Sequence, residues 1–374
     1  SRAQQGTAMK ILMVITSLGV GGAERLVTQL ADSFVQAEHE VMLVWLRGEA
    51  ELQPVDARVQ MLPLHMRKNP LDVLSGAWKL RRLIRKFAPD VVNSHLVHAN
   101  LLLRLIRMTT PMQRLVNSAH NTNEEGRLRM LAYRLTDRLA DISTNVSQEA
   151  VLAFVGQGAV RPERMVAVDN GIDVLAFAFD GIARKRLRAE WGLAETDTVL
   201  LAVGRLWAQK DYPNLLSALA RLKEHGHRPR LLIAGDGPLR EVLTQRVLSL
   251  GLGSQVRFLG MRRDVQALLS ATDIFVLPSA WEGFGLVVAE AMACERVVVA
   301  TDSGGVRELV GDAGRLVPVS DSVSLADGIA WAMNLSDEEY TRYGQMARSR
   351  IVSRYSLQAT AERYLAIFQG NSIS

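Results

Sequence analysis

Two cations five positions apart, Arg205 and Lys210, follow directly on the apolar run 199–203 and on Gly204. A guanidinium is a planar fork of donors and an ammonium a point charge, so the pair suits a diphosphate whose charge grows as it leaves. A solvated, charged loop is the competing reading of the same residues. Two carboxylates stand eight positions apart further along, Glu282 in the segment 278–286 and Glu290 about a turn into the helix that this segment opens. At that spacing both can face one ligand and accept hydrogen bonds from sugar hydroxyls. The helix start at Phe284, Gly285 and Leu286 adds free backbone N–H groups for an anion. A pair of surface glutamates would show the same spacing.

His120 closes the apolar run 115–119 and could donate to a developing anion or a sugar oxygen, or serve only the strand end. Gly19, Gly21 and Gly22 form a glycine-rich loop that leads from the run 11–15 into a helix. Residues without side chains there allow backbone N–H groups to approach a phosphate or sugar closely. Their spacing is not G-x-G-x-x-G and no G-x-x-x-x-G-K-[ST] occurs, which disfavours a nicotinamide dehydrogenase and a P-loop enzyme. The turn Gly235-Asp236-Gly237-Pro238 reads as an ordinary strand-to-helix connection. His95 and His98 form an H-x-x-H without further ligands at fixed spacing, and Cys294 has no neighbour that would activate it, so neither a metal nor a thiol nucleophile is expected.

Parallel sheets covered by helices must position these groups. Strands are expected at 11–15, 41–45, 90–94, 115–119, 142–145 and 165–168, then at 199–203, 231–234, 256–259, 274–277 and 297–300. Helical patterns fall between them, notably at 23–34, 71–87, 127–139, 213–225 and 239–250. The alternation predicts an α/β chain of two Rossmann-like, doubly wound domains, with a linker after the turn Asn170-Gly171-Ile172-Asp173. Expected boundaries are 9–175, joined by a last helix at 355–370, and 176–354. In such sheets ligands collect beyond the carboxyl ends of the strands, so a cleft between the two domains is the expected site.

The chain's 374 residues exceed one ordinary core, and no apolar run approaches the ~20 residues that cross a bilayer. One cysteine and no secretory signal in this sequence point to a cytoplasmic setting. The net charge of +5 is unevenly spread. Residues 60–140 hold 14 Lys and Arg against 5 Asp and Glu, which leaves the remainder of the chain at −4. Such a basic flank suits phosphates or an anionic membrane surface. It lacks the interleaved aromatics of an RNA-binding face, so no nucleic-acid partner is expected.

Taken together the motifs resemble the retaining nucleotide-sugar glycosyltransferases of family 4, which have the GT-B fold. The likeness runs from Met9 to about Phe368. It rests on Gly21-Gly22-Ala23-Glu24, Asn170-Gly171-Ile172-Asp173, Gly204-Arg205-Leu206 with Lys210, Gly235-Asp236-Gly237-Pro238, Phe258-Leu259-Gly260, the E-x7-E of Glu282 and Glu290, and Gly304-Gly305-Val306-Arg307-Glu308. Val306 stands where the family more often has proline. The resemblance implies two domains facing a cleft and a terminal helix that crosses back to the first, giving the apolar stripe Leu357, Ala361, Tyr364, Leu365 and Phe368 a partner.

It also implies roles. Arg205 and Lys210 would hold the donor diphosphate as leaving group, Glu282 the donor sugar, Glu290 the ribose, and the backbone of Phe284, Gly285 and Leu286 the diphosphate or sugar. His120 would contact the donor sugar, with Gly21, Gly22 and Gly204 close to the diphosphate. The donor would be a nucleotide diphosphate sugar, with uridine as the expected base, and no essential metal or other cofactor. The helix 71–87 sets Val73, Ala77, Leu80, Ile84 and Phe87 on one face among Lys79, Arg81, Arg82, Arg85 and Lys86. It resembles an interfacial helix for anionic lipid, and reads equally as a helix covering a sheet. In the first case the protein sits peripherally on the cytoplasmic face of the inner membrane, and its acceptor is a glycan or a polyprenyl-diphosphate-linked glycan. A GT-B nucleotide-sugar epimerase, or a non-enzymatic sugar-nucleotide or nucleic-acid binding protein, are the alternatives.

Overall fold

The structure, a computed structural model, describes residues 7–120 and 126–371. Two compact units share the chain: one runs to Gly171 and regains the segment from Leu357, and the other is Ile172–Ser356. Ile172 and Tyr355 are buried in the core of the second unit, so the chain passes into and out of that unit at adjacent points joined by an Ile172–Ser356 bridge. The expected boundaries at 175 and 355 lie within a few residues of these crossings.

The first unit contains β1 (Lys10–Ile15), α1 (Gly22–Gln36), β2 (Glu40–Trp45), β3 (Gln60–Pro63), α2 (Pro70–Phe87), β4 (Val91–His95), α3 (Val97–Arg107), β5 (Leu115–Ser118), α4 (Arg127–Thr136), β6 (Ile142–Asn145), α5 (Gln148–Gly156) and β7 (Met165–Ala167). Its sheet is parallel, in the order β3-β2-β1-β4-β5-β6-β7. Side chains alternate across a strand, and β1 shows why its run is apolar throughout. Ile11, Met13 and Ile15 enter the core under α1, while Leu12 and Val14 enter the one under α2 and α3. Both faces are covered, so no polar alternation survives.

The second unit contains α6 (Gly181–Glu190), β8 (Val199–Val203), α7 (Tyr212–Glu224), β9 (Arg230–Ala234), α8 (Arg240–Ser249), β10 (Val256–Gly260), α9 (Val265–Ala271), β11 (Ile274–Leu277), α10 (Leu286–Ala293), β12 (Val297–Thr301), α11 (Val306–Val310), β13 (Arg315–Val317), α12 (Ser322–Met333) and α13 (Asp337–Arg354). Its parallel order is β10-β9-β8-β11-β12-β13. Val199 and Leu201 face one core, Leu200 and Ala202 the other. Each sheet therefore reverses its winding once, between β1 and β4 in the first and between β8 and β11 in the second. The crevice at such a reversal is where α/β sheets hold ligands.

The last helix, α14 (Leu357–Phe368), belongs to the first unit, as the apolar stripe predicts. Ala361, Tyr364, Ile367 and Phe368 are buried against α1 and β1, and Phe368 meets Phe34 edge to face at 5.5 Å between ring centres. Arg114 Nε donates to the carbonyl of Ile367 at 2.8 Å and ties the helix end down.

Two findings depart from the sequence reading, and a third decides between the two readings of α2. The strands β3 and β13 were not expected. β3 is an edge strand whose side chains are only half-buried or exposed, and β13 has three residues, so neither leaves a long apolar run. Of the two readings of α2, the sheet-covering one holds for the later part of its stripe: Leu80, Ile84 and Phe87 are buried in the core with Ala77 packed against them, while Leu71, Val73, Leu74 and Trp78 are exposed.

Candidate active site

Site residues of the second unit gather at its sheet reversal. Gly204 follows β8 at φ +156°, and a Cβ there would stand 3.0 Å from Cε of Lys210, so the missing side chain is what lets the lysine lie across the turn. Lys210 Nζ donates to Glu282 Oε1 at 2.6 Å. Ser279 Oγ donates to the same oxygen at 2.7 Å, leaving Oε2 without a partner among the described residues. The two charged side chains are only 21% and 9% exposed, which makes the pair one that is costly to break, roughly 3–5 kcal/mol when one partner is removed. Tyr212 Oη donates to the carbonyl of Gly204, and burial, followed by the negative charge of Glu282, holds its phenol well above the ordinary range.

The loop carrying Glu282 is braced from behind. Gly304 has φ +54°, and a Cβ on it would come 1.9 Å from the carbonyl oxygen of Glu282. Gly305 N–H donates to the carbonyl of Gly283 at 2.8 Å. The double glycine is thus required by close backbone approach, and Val306 in place of proline leaves that approach intact. The loop ends at Gly285 (φ +84°), which begins α10. Among the described residues the N–H groups of Phe284, Gly285 and Leu286 donate to nothing, as expected of a helix start open to an anion. Glu290 lies one turn in, its carboxylate without a hydrogen bond among the described residues, and burial lifts it to about 7. Such a group gains most from a ligand that donates hydrogen bonds to its ionised form.

Arg205 carries no ion pair among the described residues and lies over the Trp207 ring at 5.0 Å. Beside it opens a cavity of 410 Å³ walled by Gly235, Trp207, Met261 and Arg262, within the size range of small-molecule sites. The turn from Gly235 to Pro238 closes this wall by packing: a Cβ on Gly237 would come 2.8 Å from the backbone of Leu206.

In the first unit, Gly21 and Gly22 lead into α1 at the sheet reversal. A Cβ on Gly22 would meet nothing within 4 Å, so no neighbouring residue explains the glycine. His120 follows β5 and is held by a buried relay. Asn93 Nδ2 donates to the carbonyl of Val116 and to Ser118 Oγ, which makes its Oδ1 the acceptor for His95 Nε2 at 2.6 Å. Burial keeps the His95 imidazole neutral, with His120 adding to the effect, so His95 Nδ1 must accept. Its partner at 3.0 Å is His120 Nε2, which therefore carries the proton. Burial likewise lowers His120 to about 4, so it is neutral near pH 7, and its Nδ1 is a buried lone pair with no partner among the described residues. The expectation was a donor; the relay makes His120 an acceptor, suited to the proton of a hydroxyl group. The residues that follow His120, Asn121 to Glu125, lie outside the described residues.

His95 is consumed by the relay, and His98 lies exposed on α3, so the H-x-x-H does not converge on one point. Cys294 is buried, and burial raises its thiol to about 12. Sequence reasoning missed Asn93, the relay role of His95, Ser279 and Tyr212. A usable signal existed for the first two: the run Val91-Val92-Asn93-Ser94-His95 puts three polar residues in a strand covered on both faces, where polar groups must find partners.

Residues 20–174 match the family described as Glycosyltransferase Family 4, and residues 183–350 match Glycosyl transferases group 1. A Campylobacter jejuni protein, N-acetylgalactosamine-N,N'-diacetylbacillosaminyl-diphospho-undecaprenol 4-alpha-N-acetylgalactosaminyltransferase, is 28% identical over 91% of this chain and 94% of its own. The lipopolysaccharide core biosynthesis glycosyltransferase LpsE of Rhizobium meliloti is 25% identical over 93% and 95%. Among solved structures, Anabaena Alr3699/HepE in complex with UDP superposes with a TM-score of 0.74 over 97% of this chain and 100% of its own, at 23% identity.

Proposed function

The chain belongs to the group 1/family 4 glycosyltransferases, and on that premise we propose a retaining enzyme that moves a hexose or N-acetylhexosamine from a uridine diphosphate sugar to a glycan or lipid-linked acceptor in cell-surface polysaccharide assembly. The observation that carries the reading is the second unit's cluster: a lysine laid across a glycine turn onto a braced carboxylate, beside the open start of a helix. Arg205, Lys210 and the N–H groups of Phe284 to Leu286 take the donor diphosphate, Glu290 the ribose hydroxyls, and Glu282 Oε2 a hydroxyl of the sugar. His120 Nδ1 accepts from another sugar hydroxyl.

In the reaction the bond from the anomeric carbon to the diphosphate oxygen breaks while the acceptor oxygen bonds to the same carbon on the same face. The acceptor's proton passes to the departing diphosphate, whose added charge meets Arg205 and Lys210. Among the described residues there is no cluster of three or more metal-ligating groups, and the proposed chemistry assigns no step to one.

The relatives' names support the acceptor class: one acts on a diphospho-undecaprenol-linked sugar and another belongs to lipopolysaccharide core biosynthesis. Peripheral membrane contact is proposed with it. No described helix is long and apolar enough to cross a membrane, but α2 exposes Leu71, Leu74 and Trp78 among Lys79, Arg82, Arg85 and Lys86. A panel of nucleotide sugars scored by thermal shift tests the donor. One or two uridine nucleotides should raise the melting temperature, and Glu290→Ala should shrink the shift. No response to any nucleotide sugar overturns the reading, and a product formed without acceptor would favour an epimerase.

A further inference from the structure

A second group of cations in the first unit is not used by the donor reading. A cavity of 130 Å³ lies among Arg47, Arg67, Lys68 and His98, with Met66 and Leu102 supplying apolar wall. A single water needs roughly 10–15 Å³ of such space, so there is room for a group several times larger. Arg47 follows β2, Arg67 and Lys68 follow β3, and His98 sits in the first turn of α3 after β4. All four therefore stand at the carboxyl edge of the sheet, the edge that also carries Gly22 and His120.

Among the described residues the charges of Arg47, Arg67 and Lys68 are uncompensated. Among the described residues, no side chain of the four makes a hydrogen bond or an ion pair, although elsewhere in this unit Arg58, Arg104, Arg107 and Arg164 all have acidic partners. The main chain at Arg47 is fixed by its N–H, which donates to the carbonyl of Thr16 at 3.1 Å. The crowding is felt by His98, which is exposed on one side only: its imidazole is lowered first by partial desolvation and then by Arg47, Arg129 and Lys68. Like charges gathered round a cavity repel each other, and an anion placed among them removes that cost while gaining charge-assisted hydrogen bonds.

We propose that this cavity is a phosphate-binding site for the acceptor, taking a phosphoester or diphosphate group with Arg47, Lys68 and His98 while Met66 and Leu102 meet the first carbons of an attached chain. The proposal rests on the glycosyl-transfer reading for the word acceptor, and on the cavity alone for the phosphate. It is distinct from the donor's diphosphate site, which lies in the second unit. The same chemistry has two sources, a soluble phosphate and the phosphate of a lipid-linked substrate, and the experiment separates them.

The full chain, saturated with uridine diphosphate to fill the donor site, is titrated with inorganic pyrophosphate and with farnesyl diphosphate while the His98 ring resonance is followed by NMR across pH. Either probe should raise the His98 pKa by about one unit, since an anion in the cavity offsets the field of Arg47 and Lys68. In Arg47→Gln/Lys68→Gln both affinities should fall about tenfold or more, while uridine diphosphate binding and the melting temperature are retained. A stronger response to farnesyl diphosphate identifies the lipid-linked source, and equal responses identify phosphate alone; either supports the site. No movement of His98 with either probe, or equal affinity in the double variant, overturns it. If the probes bind but no sugar is transferred, the site stands and the transfer reading fails. If sugar is transferred with an unchanged acceptor KM in the double variant, the reverse holds.

Discussion

The two sheet reversals solve the same topological problem with opposite chemistry. At the one in the second unit, charge dominates: Lys210 is paired with Glu282, Arg205 has no ionic partner among the described residues, and burial lifts the Glu290 carboxyl to about 7. At the one in the first unit the polar groups are neutral, and Asn93, His95 and His120 form a line of hydrogen bonds whose direction is set by an amide. Charge suits a ligand that arrives anionic and leaves more so. A neutral relay holds one ring in one tautomer and presents a single lone pair, which discriminates by position. The comparison teaches that one fold, used twice in a chain, can set an ion pair at one sheet reversal and a neutral hydrogen-bond relay at the other.

The largest effect that would test this contrast is at Lys210. Lys210→Ala removes a cation from the leaving group and strands Glu282 in a buried position, so kcat should fall about 10²–10³-fold and stability by roughly 3–5 kcal/mol. In Lys210→Met/Glu282→Gln the stability should return without the activity. Steady-state kinetics and thermal melts read both. If the single variant keeps its activity, the charged half of the comparison fails.

Glu290 is next. Its folded carboxyl titrates near 7 against an ordinary 4.5, so the folded state binds the extra proton between those values. This group's contribution to stability is therefore best at low pH and declines as pH rises through about 7. Glu290→Gln should raise stability at pH 8 by on the order of 2 kcal/mol, and lower nucleotide affinity about tenfold. In the wild type, nucleotide affinity should weaken as pH falls below 7. An affinity flat from pH 6 to 8 argues against a ribose contact.

Smaller effects come from the neutral half. His95→Phe keeps the volume but removes the acceptor for His120 Nε2, and kcat should drop about tenfold with little change in KM for the donor. Nitrogen NMR of the wild type should show His120 protonated at Nε2. A proton at Nδ1 would contradict the relay whatever the kinetics. The smallest change compares two glycines. Gly304→Ala, strained at positive φ and pressed on a carbonyl, should cost about 1–3 kcal/mol, whereas Gly22→Ala should leave stability within about 0.5 kcal/mol and weaken only ligand binding.

Much of the fold was legible because parallel strands covered on both faces leave runs such as 11–15 and 199–203 that only one environment explains. The edge strands β3 and β13 were not, since an exposed edge demands no apolar run. In the candidate site, local spacing was enough to single out Gly204, Arg205, Lys210, Glu282 and Glu290, because loop and helix geometry act over a few residues. Partners far apart in the chain were not legible. Lys210 and Glu282 are 72 positions apart and meet only because β8 and β11 are neighbours in the sheet.

The amino-acid sequence by itself determined two parallel α/β units, their polar strand ends and the apolar stripe of the last helix, because burial and periodicity are local properties of a chain. Tertiary structure alone decided which of those polar ends carry charge into contact, which way the His120 relay donates, and that the later part of the apolar stripe of α2 faces the sheet. Hydrogen-bond direction and charge pairing depend on neighbours brought in from distant segments, and only the folded sheet order supplies them.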